Sequence, residues 1–207
     1  IWNNTAGTID FSVNNLVIEK GTNGGSPNPD YTLNSGTLAA GAVIVIGTSG
    51  DLQTTTESNG ATFYVKPFTF NGDDALVVKY GATTTDIFGN LGLDPGTHWN
   101  NNDVSTKNNN ISLKDGITTG DTDGWTDPSI RFEVTADGST PTGFGIAPAA
   151  AASTVTWDGS VSSDWATPAN WDTNAIPIAT DNVIIPDVAT APIIGATTGA
   201  VTNDLTI

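Results

Sequence analysis

The hydrophobic residues of this 207-residue chain alternate with polar ones over short runs, with the period of two that is typical of β-strands. The clearest alternation lies at residues 130–134, which predicts a half-buried strand. Residues 43–46 are apolar at every position, which predicts a central strand covered on both faces. From these and similar runs, we expect one core that contains Leu16, Ile18, Ile44, Ile46, Leu76, Val78, Phe132 and Val134.

Clusters of Gly, Asn, Asp and Pro separate the apolar runs and predict turns, because these residues favour turn conformations. The clusters lie at residues 21–30, 49–60, 89–110 and 115–127. No 11-residue window has the period of an amphipathic helix. The pattern therefore predicts an all-β fold, in which residues 1–145 form a β-sandwich of roughly seven to nine strands.

A change in composition marks the end of the predicted sandwich. Residues 146–153 are small and uncharged, which predicts a linker or a tether along the first domain; one turn of helix is the alternative, because Ala favours helices. Residues 154–207 are rich in Trp and Pro and predict a second β segment. We therefore expect domains at 1–145 and 154–207, joined by a linker at 146–153.

The charge and composition exclude several classes of function. The chain has 6 Lys and Arg against 22 Asp and Glu, a formal net charge of −16. It therefore lacks the basic face that binds nucleic acid or anionic lipid. No apolar run approaches the roughly 20 residues of a membrane span. The absence of Cys removes thiol catalysis, thiolate zinc sites and disulfides. We predict no nucleic-acid partner and no insertion into a membrane.

The chain contains no Met and begins at Ile1, without a basic and then apolar signal peptide. Its last residues alternate like the start of a strand. We therefore expect it to be a window from a longer, processed polypeptide. The parent chain is expected to extend in both directions, or a neighbouring copy is expected to cover the strand edges at both ends.

Two groups of residues are candidates for ligand binding. The densest run of carboxylates consists of Asp115, Asp121, Asp123 and Asp127. Asp alternating with Gly at a tight turn supplies the hard oxygen ligands of calcium, whereas a solvated acidic loop is the alternative. The second group consists of Trp157, Trp165 and Trp171. These rings are candidates for stacking on a glycan, and a role in the core is the alternative. Calcium is the only cofactor that the sequence suggests.

The sequence indicates no catalytic site. Asp73 and Asp74 are adjacent, so that in a strand they would point to opposite faces, and we expect a role in a turn instead. His98 is the only histidine, no Gly-x-Ser-x-Gly elbow is present, and one His is too few for a typical zinc site. No two carboxylates stand out as a glycosidase pair. We therefore predict that the chain is not an enzyme.

Five stretches in the first domain follow one another in a recognisable order. They are Ile1-Trp2-Asn3-Asn4-Thr5, the strand–turn–strand at residues 30–47 with Asp30-Tyr31-Thr32-Leu33 and Gly36-Thr37-Leu38-Ala39-Ala40-Gly41, Phe70-Asn71-Gly72-Asp73-Asp74-Ala75-Leu76, Asp86-Ile87-Phe88-Gly89, and Asp94-Pro95-Gly96-Thr97-His98-Trp99. Together they resemble the lamin tail domain, which occurs in nuclear lamins and in bacterial secreted and surface proteins. The resemblance implies an immunoglobulin-like β-sandwich. The basic surface of the nuclear branch is missing, so chromatin binding is not implied.

A second resemblance covers residues 154–207. It rests on Trp157-Asp158-Gly159, Ser163-Asp164-Trp165, Asn170-Trp171, Pro177, Asp181-Asn182-Val183-Ile184-Ile185-Pro186 and Pro192. This pattern resembles a short repeat of large surface proteins exported by type IX secretion. The resemblance implies the start of a β-solenoid, with residues 201–207 in its first rung, and a bacterial secretion machinery as a partner.

Together, these observations predict a non-catalytic structural or adhesion segment of a larger secreted or cell-surface protein, located outside the cell or on a bacterial surface. Surface glycans and neighbouring copies of the chain are the expected partners. Two alternatives stay open. One is an accessory domain of an exported hydrolase, such as a nuclease or phosphatase. The other is a filament subunit that pairs strands between copies.

Overall fold

The computed structural model describes residues 1–138, 140–195 and 199–207. Two units, Ile1–Pro148 and Ala149–Ile207, each have their own internal contacts, and the boundary falls within the predicted linker. Strands dominate both units, and a single α-helix occurs in the described residues, which confirms the all-β prediction. Within the same ranges, no helix has the length and apolar character needed to cross a membrane.

The Ile1–Pro148 unit carries most of the strands. They are β1 (Ile9–Asp10), β2 (Leu16–Gly21), β3 (Asn28–Leu33), β4 (Thr37–Leu38), β5 (Ile44–Gly47), β6 (Thr62–Val65), β7 (Ala75–Tyr80), β8 (Thr83–Phe88), β9 (Asn100–Asn101), β10 (Val104–Ser105), β11 (Asn109–Leu113) and β12 (Phe132–Asp137). Helix α1 spans Asp51–Ser58, and 3-10 turns lie at Thr22–Gly24 and Pro128–Ile130.

The main sheet has the order β3-β2-β7-β8, and all neighbours are antiparallel. Ile18 lies opposite Tyr31 on one side and Val78 on the other, so these side chains share a face. Leu16 lies on the same face and is buried together with Ile44 of β5. Strand β5 therefore packs against the main sheet, which gives this unit its sandwich-like arrangement.

Strands β5 and β6 are parallel, with Ile44 opposite Thr62. Parallel neighbours need a crossover connection, and α1 supplies it here. Thr56 anchors the helix, because it is fully buried and its hydroxyl donates to the Leu52 carbonyl at 2.8 Å. The prediction that residues 49–60 form only turns is therefore wrong.

The predicted core is only partly correct. Leu16, Ile18 and Ile44 are buried, whereas four of the expected side chains are half-buried: Ile46, Leu76, Val78 and Phe132. Val134 is 40% exposed, because β12 pairs with β11 in a two-stranded sheet whose register shifts between Asn110 and Ile111. Ile130 lies in a 3-10 turn and is exposed, so the strand begins two residues later than the alternation predicts.

An aromatic cluster joins β8 and β12 to the turn-rich segment before β12. The ring centroids of Phe88 and Trp125 are 4.9 Å apart, and those of Trp125 and Phe132 are 5.4 Å apart. Both pairs are steeply tilted, as aromatic rings prefer. Trp99 joins the cluster, with its ring centroid 6.1 Å from that of Trp125. Gly89 leaves room for Trp99, because a Cβ atom at Gly89 would lie 2.9 Å from the Trp99 indole nitrogen.

The Ala149–Ile207 unit contains β13 (Thr154–Thr156), β14 (Asn182–Ile184) and β15 (Asp204–Thr206), with a 3-10 turn at Pro168–Asn170. The strands form a parallel sheet in chain order, β13-β14-β15. Val155, Val183 and Leu205 lie in one row across the sheet. Consecutive parallel strands stacked in register are the pairing that a parallel β-solenoid uses.

Candidate functional site

The Asp121 side chain organises the turn that leads to Trp125. Its Oδ1 atom accepts the backbone N–H groups of Asp123 and Gly124, both at 2.9 Å. Its own N–H donates to Asp86 Oδ1 at 2.7 Å, which ties the turn to β8. Gly124 has a φ of +76°, a conformation that glycine adopts without strain. The local hydrogen bonds of Asp121 therefore form an Asx turn.

Asp127 caps the 3-10 turn Pro128–Ile130. Its Oδ1 atom accepts the backbone N–H of Ser129 at 2.8 Å and the Ser129 hydroxyl at 2.6 Å. Its Oδ2 atom accepts the Asn101 amide at 2.6 Å. The bond from the Ser129 hydroxyl is the main reason that the pKa of Asp127 lies below the ordinary value of an aspartate.

We expect Asp127→Asn to lower the melting temperature near neutral pH and to change it little in acid. A depressed pKa in the folded state means that the ionised group stabilises the fold above the pKa of the unfolded chain. This contribution is lost as the pH falls through the folded-state pKa. The difference in melting temperature between the parent protein and the variant should therefore be larger at about pH 7 than at about pH 3.

Asp123→Asn is the matched control for this experiment, because the Asp123 side chain lies exposed in the same segment. Its effect on the melting temperature should be small at both pH values. An equal effect of Asp127→Asn at both pH values would contradict the capping role of the carboxylate.

The structure does not gather the four predicted calcium ligands. Asp121 and Asp127 cap separate turns, the Asp123 side chain is exposed, and Asp115 lies at the cleft described below. Among the described residues, no group of three or more His, Cys, Asp or Glu side chains is arranged to hold a metal ion. The alternative interpretation, an acidic loop, agrees with these contacts.

The three Trp rings of the second unit lie in its core. Trp157, Trp165 and Trp171 are 0%, 2% and 1% exposed. The Trp171 ring packs edge-to-face against both others, at centroid distances of 4.9 Å to Trp157 and 4.7 Å to Trp165. This corrects the glycan prediction, because a ring without an exposed face cannot stack on a sugar. The alternative role in the core agrees with the structure.

Hydrogen bonds fix two of these rings. The Trp157 indole N–H donates to the Thr190 carbonyl at 2.7 Å, and that of Trp171 donates to the Trp165 carbonyl at 3.0 Å. Val155 and Val183 pack against the same rings from the sheet. The rings therefore fill the space that a second sheet would fill in a sandwich.

Asn170 is the polar centre of this unit, although the sequence analysis assigned it no role of its own. It is fully buried, and its Oδ1 atom accepts the backbone N–H groups of Val161 at 3.0 Å and Ser162 at 2.8 Å. Its amide nitrogen donates to the Asp164 carbonyl at 2.9 Å and to the Ser162 hydroxyl at 3.0 Å. In the sequence, the feature that points to this structural role is its position directly before Trp171.

The segment that contains Asn170 also covers the outer edge of β13. Asp158 donates its N–H to the Asn170 carbonyl at 2.9 Å. Asp172 donates to the Thr156 carbonyl and accepts the Thr156 N–H on Oδ1, both at 3.0 Å. Strand β15 forms the opposite edge of the sheet. The two edges of this parallel sheet therefore differ.

The turn before β7 buries two carboxylates. Asp74 is 2% exposed, accepts the Asn23 N–H at 3.1 Å and lies 3.5 Å from the Lys20 ammonium. Asp73 is 4% exposed and accepts the Asn71 amide at 3.2 Å. Gly72 between them and Asn71 has a φ of +105°, as the turn requires. These contacts are structural, in agreement with the interpretation from sequence.

His98 is half-buried, and its Nδ1 atom lies 2.8 Å from the Thr97 hydroxyl. The neighbouring Trp99 is buried and packs against Trp125. His98 therefore lies at the margin of the aromatic cluster, next to its own chain neighbours.

A cleft of about 470 Å³ opens within the Ile1–Pro148 unit, and no pattern in the sequence indicates it. Aliphatic side chains of β7 and β11 and of the segment around β5 line it, together with residues 142–148. Three carboxylates, those of Asp86, Asp115 and Glu133, also line it. Because its walls come from distant parts of the chain, no local motif signals it.

Comparison of the chain with family models, with curated proteins and with solved structures finds no match. The resemblances to the lamin tail domain and to the type IX repeat therefore stay predictions.

Proposed function

We propose that this chain is a non-catalytic, load-bearing structural segment of a larger secreted or cell-surface protein, located outside the cell or on a bacterial surface. The parallel order of β13, β14 and β15 carries the proposal. The Trp core that packs against this sheet and the net charge of the chain support it.

The strand directions determine how a pulling force loads the hydrogen bonds between the strands. Load on the Ala149–Ile207 unit enters before β13 and leaves after β15, and β14 pairs with both strands in parallel. The two outer strands are thus pulled in opposite directions along their axes. The hydrogen bonds between strands are then loaded together in shear, whereas an antiparallel hairpin pulled at its two ends would open one pair at a time.

The core supports the same function. The three buried Trp rings and Asn170 connect the sheet to the segment that covers the edge of β13. Several carboxylates of this unit, such as Asp158, Asp164 and Asp181, accept backbone N–H groups in turns. The net charge of −16 keeps neighbouring copies apart in solution.

Pulling single molecules by their two ends tests the proposal. The chain has no Cys, so one cysteine introduced at each end gives unique attachment points. We expect two discrete force peaks, one for each unit. At about 3.5 Å per extended residue, the chain should lengthen by roughly 500 Å for the larger unit and roughly 200 Å for the smaller one.

A variant with a disrupted second core, Trp157→Ala, is the control for this measurement. It should remove the shorter step and leave the longer one in place. If the unsubstituted chain extended without any force peak, the proposal that the segment bears load would be overturned.

A further inference from the structure

The cleft of the Ile1–Pro148 unit is open to solvent and has partly aliphatic walls. Val43, Val78, Ile111 and Leu113 all line it and stay half-buried. Aliphatic side chains that line a concave cleft offer a surface that an apolar group can cover. A volume of about 470 Å³ also lies within the range of small-molecule sites. The walls therefore suit an apolar group.

Negative charge lies at the same cleft. Asp86 is 40% exposed at its side chain, and its Oδ1 atom is already occupied by the N–H groups of Asp121 and Ile87. Its Oδ2 atom has no hydrogen-bond partner within the described ranges. Glu133 lines the cleft from β12, and its carboxylate has no partner there either.

Two basic groups lie close to these carboxylates, the Arg131 guanidinium and the N-terminal amine of Ile1, which lines the cleft and interacts with Asp86. Burial lowers the pKa of the Ile1 amine to about 6, so most of it is uncharged at neutral pH. The Arg131 guanidinium is 3.8 Å from Asp86 Oδ1 and donates to the Thr119 carbonyl at 2.8 Å. Asp86, Asp115 and Glu133 bring three carboxylates to the cleft, against the charge of Arg131 and the small charged fraction of the Ile1 amine at neutral pH. The cleft thus combines aliphatic walls with a surplus of negative charge.

We propose that this cleft binds an alkylammonium ligand, with its hydrocarbon chain against Val78 and Ile111 and its ammonium group between Asp86 and Glu133. The aliphatic walls favour the hydrocarbon chain through removal of apolar surface from water. The carboxylates favour the ammonium group through charge-assisted hydrogen bonds. This site is separate from the load-bearing sheet of the second unit and does not depend on it.

Three eight-carbon probes test the proposal: octylamine, octanol and octanoate. Their apolar chains are alike, so the difference between them reports the charge preference. We expect octylamine to bind about tenfold more tightly than octanol, because hydrogen bonds to charged groups are the stronger ones, and octanoate to bind most weakly. Methyl NMR shifts at Val78, Ile111 and Leu113 would locate the ligand, and isothermal titration would give the affinities.

Two matched variants separate the cleft from the general charge of the protein. Glu133→Gln should weaken octylamine about threefold and leave octanol unchanged, since one partly exposed charge contributes little. Glu57→Gln makes the same change on α1, outside the cleft, and should have no effect. Added salt should weaken octylamine but not octanol.

Equal affinities for octylamine and octanol would overturn the preference for ammonium. Methyl shifts only outside the cleft, or no binding of octylamine, would overturn the site itself.

Discussion

Replacement of Trp157 by alanine is expected to abolish the cooperative folding of the Ala149–Ile207 unit. Trp157 is fully buried, its ring packs against Trp171 at 4.9 Å, and its N–H donates to the Thr190 carbonyl. Truncation of a buried Trp costs about 3–5 kcal/mol. A unit of this size has a total stability of about 3–9 kcal/mol, at the usual stability per residue. The loss is therefore comparable with the whole stability of the unit.

Amide hydrogen exchange measures this effect where it is expected. Val155 and Val183 lie in the sheet next to the Trp core, and their amides should lose protection in Trp157→Ala. Amides of β2 and β7, which belong to the other unit, should keep theirs.

Trp157→Phe is the matched variant, because it keeps an aromatic ring and loses only the indole donor and part of the volume. It should show an intermediate loss of protection. Full protection of Val155 and Val183 in Trp157→Ala would contradict the central role of the ring.

The alternation of apolar residues predicted the main sheet, because its strands have one covered face. Leu16 and Ile18 follow this rule and are buried. The rule failed at Val134, where β12 lies in a two-stranded sheet and its side chain stays exposed. Alternation reports the period of a strand but does not reveal how many layers cover it.

Helix α1 gave no signal in the sequence. Its residues, Asp-Leu-Gln-Thr-Thr-Thr-Glu-Ser, contain three Thr in a row, and Thr has a low helix propensity. The helix exists because β5 and β6 are parallel and need a crossover between them. That requirement comes from the pairing of distant strands, which local propensity cannot report.

The candidate ligand residues show a different limit. Trp157, Trp165 and Trp171 have a spacing that fits both a glycan platform and a core, and only their burial separates the two. Likewise, Asp121 and Gly124 fit both a calcium loop and an Asx turn, and the partners of Oδ1 distinguish these in the structure. Residue type and spacing thus leave the role of these residues open, and the contacts in the folded chain decide it.

Asn170→Ala is expected to destabilise the Ala149–Ile207 unit almost as strongly as the loss of a Trp ring. The substitution removes the acceptor of two backbone N–H groups, those of Val161 and Ser162, and the donor to the Asp164 carbonyl. Each polar group that is left buried without a partner costs about 1–3 kcal/mol. The total loss should be on the order of 4 kcal/mol in the free energy of unfolding.

Two further variants define how this effect arises. Asn170→Asp keeps the acceptor of the two N–H groups but removes the donor, and it places a carboxylate against the Asp164 carbonyl; we expect a loss close to that of alanine. Asn203→Ala is the control, because Asn203 is exposed and its amide donates to Asn182 Oδ1 at 2.9 Å. Its effect should stay within about 0.5 kcal/mol.

Denaturant unfolding followed by Trp fluorescence measures all three variants. If the unfolding curves of Asn170→Ala and Asn203→Ala coincided, this would contradict the role of the buried Asn170 amide in holding the segment over the edge of β13.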